Sequence, residues 1–313
     1  MERPADEEQN AHTQPFAVHR YRHPRIGQKS FHGLCVEHAN FQVSPMRWTE
    51  RHLEILNCKF RFIADTHDTR LSEAETKMSE MVLLFDTSYT RTAKLCCEYL
   101  LELHSGNSPL SVVAMPLLFH FGKFTYTLYH CIALNILPCR SDNTRVVAGF
   151  SQYRIDEQRH TRFTTPSNRW GFFNSPVRRR YARKLLELTP NDWRNDPYIL
   201  AVLLGLAQSR YEEDDQDGVY KTRLLVTNFD EDSRDAYVYK ADIPKQLVES
   251  LHDPLRTIDD FEFPDIEYTN VSYQPFWTFS ERVEKHFDVI PVAPRGVKRS
   301  FKNSDSSVAK VQK

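Results

Sequence analysis

One stretch constrains the fold more than any other: NDPYILAVLLGLAQSRYEE, residues 195–213. Asp196 can cap a helix, Pro197 suits its first turn, and Ile199, Leu200, Val202, Leu203, Leu204 and Leu206 leave it almost no polar face. A helix that is apolar all round must lie inside the protein, with other elements packed on every side. Burying side chains of this kind is worth roughly 1.5–3 kcal/mol each before entropy is counted. The segment is therefore predicted to be the structural centre. The chain of 313 residues is long enough to enclose it without a disulfide or metal staple.

The elements around it alternate in period. SPMRWTERHLEIL (44–56) predicts a short helix capped by Ser44, and 71–106 carries two apolar helical stripes that divide near Asp86-Thr87-Ser88 and end at Gly106. The β-branched and aromatic run 109–139 predicts two strands that turn at Phe121-Gly122-Lys123. Residues 144–155 read as a third strand with Gly149 at a bulge, and 157–176 as a loop before a helix opened by Ser175-Pro176. Beyond the central helix come two strands in 220–244 around an acidic turn, then a short helix and a strand near DIEYTNVSY. A final helix follows, in which Thr278 and Glu281 have capping-box spacing. The expected class is α+β, a mixed and largely antiparallel sheet with packed helices. Residues 1–28 are expected to be disordered, 29–290 to form one domain with a sub-boundary near 156–175, and 291–313 to be a disordered basic tail.

Several function classes are disfavoured by composition. Only nine glycines occur, and neither G-x-G-x-x-G nor G-x-x-x-x-G-K-[ST] is present, which argues against a Rossmann or P-loop phosphate site. The motifs H-E-x-x-H and G-x-S-x-G are also missing. The six cysteines form no C-x-x-C pair and read as reduced thiols, so the chain is expected to be intracellular, in cytoplasm or nucleus. No apolar run is long enough to span a bilayer, and no membrane partner is expected. A net charge of −1 gives no global attraction to polyanions, so local charge decides.

Four clusters invite chemistry. YEEDDQDG (211–218) places five carboxylates in six positions and, aligned on Gly218, imitates the start of a calcium loop, but Lys221 and Leu224 stand where later ligands belong. The second acid group, Asp230-Glu231-Asp232, lies about 26 Å away along an intervening strand, so a solvated loop is the expectation. His120 and His130 with Cys131 and Cys139 could be imagined around zinc, yet buried thiols beside hydrogen-bonded imidazoles explain them as well. No metal set or cofactor is assigned. The helix VRRRYARK concentrates Arg178, Arg179, Arg180, Arg183 and Lys184, candidate phosphate contacts for nucleic acid, against a simpler reading as a solvated face. The tail adds Arg295, Lys298, Arg299, Lys302, Lys310 and Lys313.

The order helix, three strands, helix, strand resembles the αβββαβ core of restriction-endonuclease-like nucleases. That resemblance implies an acid on the second strand and (D/E)-x-K on the third, around Mg²⁺. RVVAGFSQYRI contains no such triplet, and the one match, Glu75-Thr76-Lys77, falls in a helix pattern. Over 145–288, NDPYILAVLLGLAQ, LLVTN and Y-x-P-x-x-T-F-x-E-R resemble a recurrent pattern in uncharacterised fungal proteins, which implies an intracellular fungal protein and transfers no activity. The leading expectation is a non-enzymatic or catalytically inactive interaction protein with a protein partner. The alternatives are a nucleic-acid-associated protein using 177–184 and the tail, and a metal-dependent nuclease-like hydrolase.

Overall fold

The computed structural model describes residues 28–64, 89–103, 108–136, 146–162, 174–211, 218–228, 234–259 and 263–288, with 165, 167, 169 and 170. Both termini, the acidic stretch 212–217, the acidic turn 230–232 and Glu75–Lys77 lie outside the described residues.

The central helix is where its sequence puts it. Pro197–Tyr211 forms one helix in which every residue from Pro197 to Gln208 is buried. Around it, in chain order, the described helices are α1 (Phe31–Glu37), α2 (Glu50–Leu56), α3 (Tyr89–Leu100), α4 (Ile155–Arg162), α5 (Ser175–Leu188), the central helix as α6, α7 (Lys245–His252) and α8 (Phe279–His286). The strands are β1 (Gln28–Ser30), β2 (Phe60–Phe62), β3 (Leu110–Phe121), β4 (Phe124–Ile136), β5 (Val146–Gln152), β6 (Val219–Thr227), β7 (Asp235–Pro244), β8 (Thr257–Asp259) and β9 (Ile266–Ser272). Seven of them make one sheet in the order β2-β9-β7-β6-β5-β4-β3, and β1 pairs with β8. Among the described strands only β5/β6 and β2/β9 are parallel. The class is thus α+β with a mixed, largely antiparallel sheet.

Helices cover both faces. One core unites α6 with α1, α2 and α7 through Phe31, Ile55, Leu200, Leu203, Leu224 and Leu247. The other joins α3 and α8 to the opposite face through Cys97, Phe150, Leu225, Val238 and Phe279. Strands β3, β4 and β5 form an antiparallel meander, and after α6 the chain returns as β6 parallel to β5. With α3 in front, the order is one helix, three strands, the three helices α4, α5 and α6, and then β6, so two helices interrupt the αβββαβ order expected from the sequence.

Several local expectations are corrected. The predicted loop after β5 contains α4, a helix whose inward residues include Gln158 and Arg159, so no apolar period announces it. Helix α2 is capped by Thr49 and not Ser44, and it forms a capping box with His52. The hydroxyl of Thr278 donates to the Pro275 carbonyl and makes no cap to α8. Gly149 is no bulge: its register with β4 and β6 is continuous. A Cβ there would come within 2.7 Å of the Leu206 side chain, so the glycine admits α6 to the sheet. Gly205 does the same from the helix side, where a Cβ would sit 2.8 Å from the Leu118 carbonyl oxygen and from a Leu128 methyl.

This close approach can be tested with two glycines that both sit in helices. Alanine normally gains about 1 kcal/mol over glycine there. At Gly205 the obstacle is backbone, and overpacking costs about 1–3 kcal/mol. Gly205→Ala should therefore lower unfolding free energy in urea, while Gly33→Ala, whose nearest neighbour is the Ser30 hydroxyl at 3.6 Å, should leave it equal or higher.

Candidate functional site

A buried charge cluster sets the position of the site. Asp196 caps α6 by accepting from the Tyr198 N–H at 2.8 Å, and it receives two bonds from the Arg159 guanidinium, at 2.6 and 3.0 Å. Tyr153, just past β5, donates its hydroxyl to the same carboxylate at 2.8 Å. Arg159 also donates to the Met46 carbonyl at 3.0 Å and to Asp156 at 3.3 Å. Both Arg159 and Asp196 are completely buried. Burial alone disfavours the guanidinium cation, but the Asp196 charge and its hydrogen bonds outweigh that and hold the Arg159 pKa above its ordinary value. Burial and the neighbouring carboxylates push the Tyr153 hydroxyl upward, so it stays a donor.

Through Met46, this cluster fastens the turn 45–47 against α4, and a cleft of about 840 Å³ opens beside it. One wall comes from the turn and α2: Arg47, Thr49, Arg51 and His52. The facing wall is α5, whose Val177, Tyr181, Leu185 and Leu188 turn inward at helical spacing while its cations stay exposed. Arg180 and Lys184, one turn apart, line the cleft, as does Arg162 at the end of α4. The Arg162 guanidinium lies 4.3 Å from the centre of the Tyr129 ring, which sets its direction. Five cations thus converge from four chain segments, and Glu187 is the single carboxylate of the lining among the described residues. Arg51 shares a 2.8 Å bond with Glu54, whereas Arg180 and Lys184 have no ion pair among the described residues.

His52 forms part of the cleft wall. Its ring stacks between Trp48 and Phe41, at 5.6 and 5.7 Å between centroids. Its Nδ1 accepts from the Thr49 N–H at 3.0 Å, which assigns the proton to Nε2, 3.2 Å from the Asn40 carbonyl. Burial lowers its pKa, favouring the neutral ring.

Of the five predicted basic residues, only Arg180 and Lys184 face the cleft; Arg178, Arg179 and Arg183 occupy other sides of α5. Arg47, Arg51 and Arg162 were missed, because only the tertiary fold brings them opposite α5.

The acids that the nuclease-like expectation requires on the second and third strands are not found on β4 and β5. Neither β4, FTYTLYHCIALNI, nor β5, VVAGFSQ, contains an acid. Gln152, Tyr153 and Arg154 follow at the end of β5, and the His130 ring lies 3.2 Å from Gln158. These donors do not fit Mg²⁺, which takes carboxylate oxygens. Cys131, in contact with Ser151 at 3.2 Å, has its thiol pushed up to about 12 by burial and is no nucleophile. His120 bonds instead to Thr125 and stacks on His252, so the two histidines of the imagined zinc set have separate partners.

No known family model matches the chain, and no curated protein matches it significantly.

A neutral His52 makes the wall of the cleft sensitive to acid. A histidine whose folded pKa is lowered contributes stability that is complete above its unfolded value of about 6.5 and is lost as pH falls below it. His52→Gln keeps an acceptor at the same capping position without a titrating ring. The difference in melting temperature between parent and variant should therefore shift in the variant's favour as pH is lowered from 7.5 to about 5.

Proposed function

We propose that this protein is a non-catalytic binding protein whose cleft takes the phosphate backbone of a nucleic acid. The observation that carries this reading is the convergence of Arg47, Arg51, Arg162, Arg180 and Lys184 on one cleft with a single carboxylate among its described lining residues. A chain of net charge −1 has no general attraction for polyanions, so such a local concentration of cations is a specific feature of this surface. Four of the five are arginines, whose planar forks match phosphate oxygens in pairs. The non-catalytic part of the proposal is supported by β4 and β5, which carry no carboxylate for a metal site of the nuclease type. No described helix is long and apolar enough to cross a membrane. The reading places the protein in cytoplasm or nucleus, where its ligand is found.

The test is fluorescence anisotropy with a short labelled RNA and a DNA duplex across a salt series. If all five cations meet phosphates, the slope of log affinity against log salt should approach about −3.5 for a single strand and about −4.5 for a duplex. Charge reversal of the cleft pair, Arg180→Glu with Lys184→Glu, should weaken binding by at least tenfold. Reversal of Arg179 and Arg183, outside the cleft on the same helix, should change it far less. Equal losses from both pairs, or binding indifferent to salt, would refute the cleft as the site.

A further inference from the structure

The opposite face of the sheet carries a second, smaller site. Between β7, β9, the end of β2 and α8 lies a cavity of about 260 Å³ whose lining includes Ile63, Val238, Lys240, Glu267, Thr269 and His286. Its floor is a block of two cross-strand pairs, Lys240 opposite Glu267 and Val238 opposite Thr269.

Three features of this block point to a ligand. Opposite charges placed directly across a ladder ordinarily join, yet Lys240 and Glu267 form no ion pair or hydrogen bond among the described residues. Their neighbours are already committed: Arg61, in register with Glu267, binds Asp265 at 2.6 Å. Arg223, in register with Lys240, binds Asp288 at 2.8 Å and Asp242 at 3.4 Å. The remaining cation and anion therefore stand side by side in the cavity floor, with no partner among the described residues. The third feature is independent of charge: Thr269 is only 7% exposed, and its hydroxyl has no hydrogen-bond partner. A buried polar atom left unpaired costs free energy that a bound polar group would recover.

We infer that this cavity binds a small zwitterion of the α-amino-acid type, with an aliphatic side chain. The carboxylate meets Lys240, the ammonium meets Glu267, and one polar atom of the ligand bonds the Thr269 hydroxyl. The side chain packs on Ile63 and Val238. The volume lies below the roughly 300–1,000 Å³ of pockets for drug-sized ligands, which suits a molecule of this scale. Because one fixed positive and one fixed negative charge line the same floor, a ligand carrying only one of the complementary charges leaves the other wall residue unsatisfied.

Isothermal titration and thermal melting of the full chain with L-leucine and L-valine provide the test, up to about 10 mM. Saturable binding and a raised melting temperature are expected. Lys240→Met and Glu267→Gln should each weaken binding about tenfold or more, as removal of a charge-assisted bond does. The matched acid 4-methylpentanoate and the matched amine 3-methylbutylamine should show a similar loss. Thr269→Val, which removes the unpaired hydroxyl, should hold or raise the melting temperature of the free protein while weakening the amino acid. The inference is overturned if neither amino acid binds in that range, or if binding survives both charge substitutions. It is equally overturned if the single-charge analogues match leucine, or if Thr269→Val lowers stability and leaves binding unchanged.

Discussion

The pairing of Arg159 with Asp196 is the interaction on which the arrangement of this molecule turns. Its carboxylate caps the central helix, accepts the Tyr153 hydroxyl at the end of β5, and takes a two-point bond from α4. Its guanidinium in turn holds the Met46 carbonyl, so one buried charge cluster ties together the sheet, two helices and the turn before α2. Two charges without solvent are costly, and removing one partner of such a pair costs about 3–5 kcal/mol because the other is stranded. The geometry here answers that cost with bonds on both carboxylate oxygens and on each guanidinium nitrogen. What the cluster gains is position: Arg47 and Arg51 follow directly from the fastened turn, and Arg162 lies one helical turn past Arg159.

The same residues explain which parts of the fold can be read from sequence. The central helix announces itself because its burial is achieved with leucine, valine and alanine, so composition and period carry the signal. The β3–β4–β5 meander is legible for a similar reason, with Gly122 at positive φ marking the turn. Helix α4 is invisible because, after Ile155, its buried side is made of Gln158 and Arg159, whose burial depends on partners 28 and 37 positions away in the chain. Gly149 looked like a bulge since a glycine in a strand has two meanings, and only the approach of Leu206 selects between them. Ser44 is the cap expected from sequence, but the His52 ring, which closes a capping box with Thr49, starts the helix at Glu50.

The cleft was half legible. Clustered arginines identify α5 as basic, and helical spacing separates Arg180 and Lys184 from Arg179 and Arg183. Nothing local says which of those faces meets other cations, because the opposing wall lies more than a hundred positions earlier in the chain. The Lys240–Glu267 cavity was illegible for a comparable reason: each residue is an ordinary polar member of an alternating strand until the cross-strand register is known. The two sites use opposite faces of the sheet. The cleft adjoins the core around α6, where Phe41, Met46 and Ile55 are packed, while Val238 beneath the cavity belongs to the core under α3 and α8.

Native-state hydrogen exchange on Arg159→Met measures directly whether the buried pair fixes the cleft wall. Amide protection is expected to fall first and furthest in 46–56 and in the opening turn of α6, with β6 and β7 retaining the slowest exchange. Protection unchanged in 46–56, or lost evenly through the sheet and the cleft wall together, would contradict the role assigned to Arg159 and Asp196.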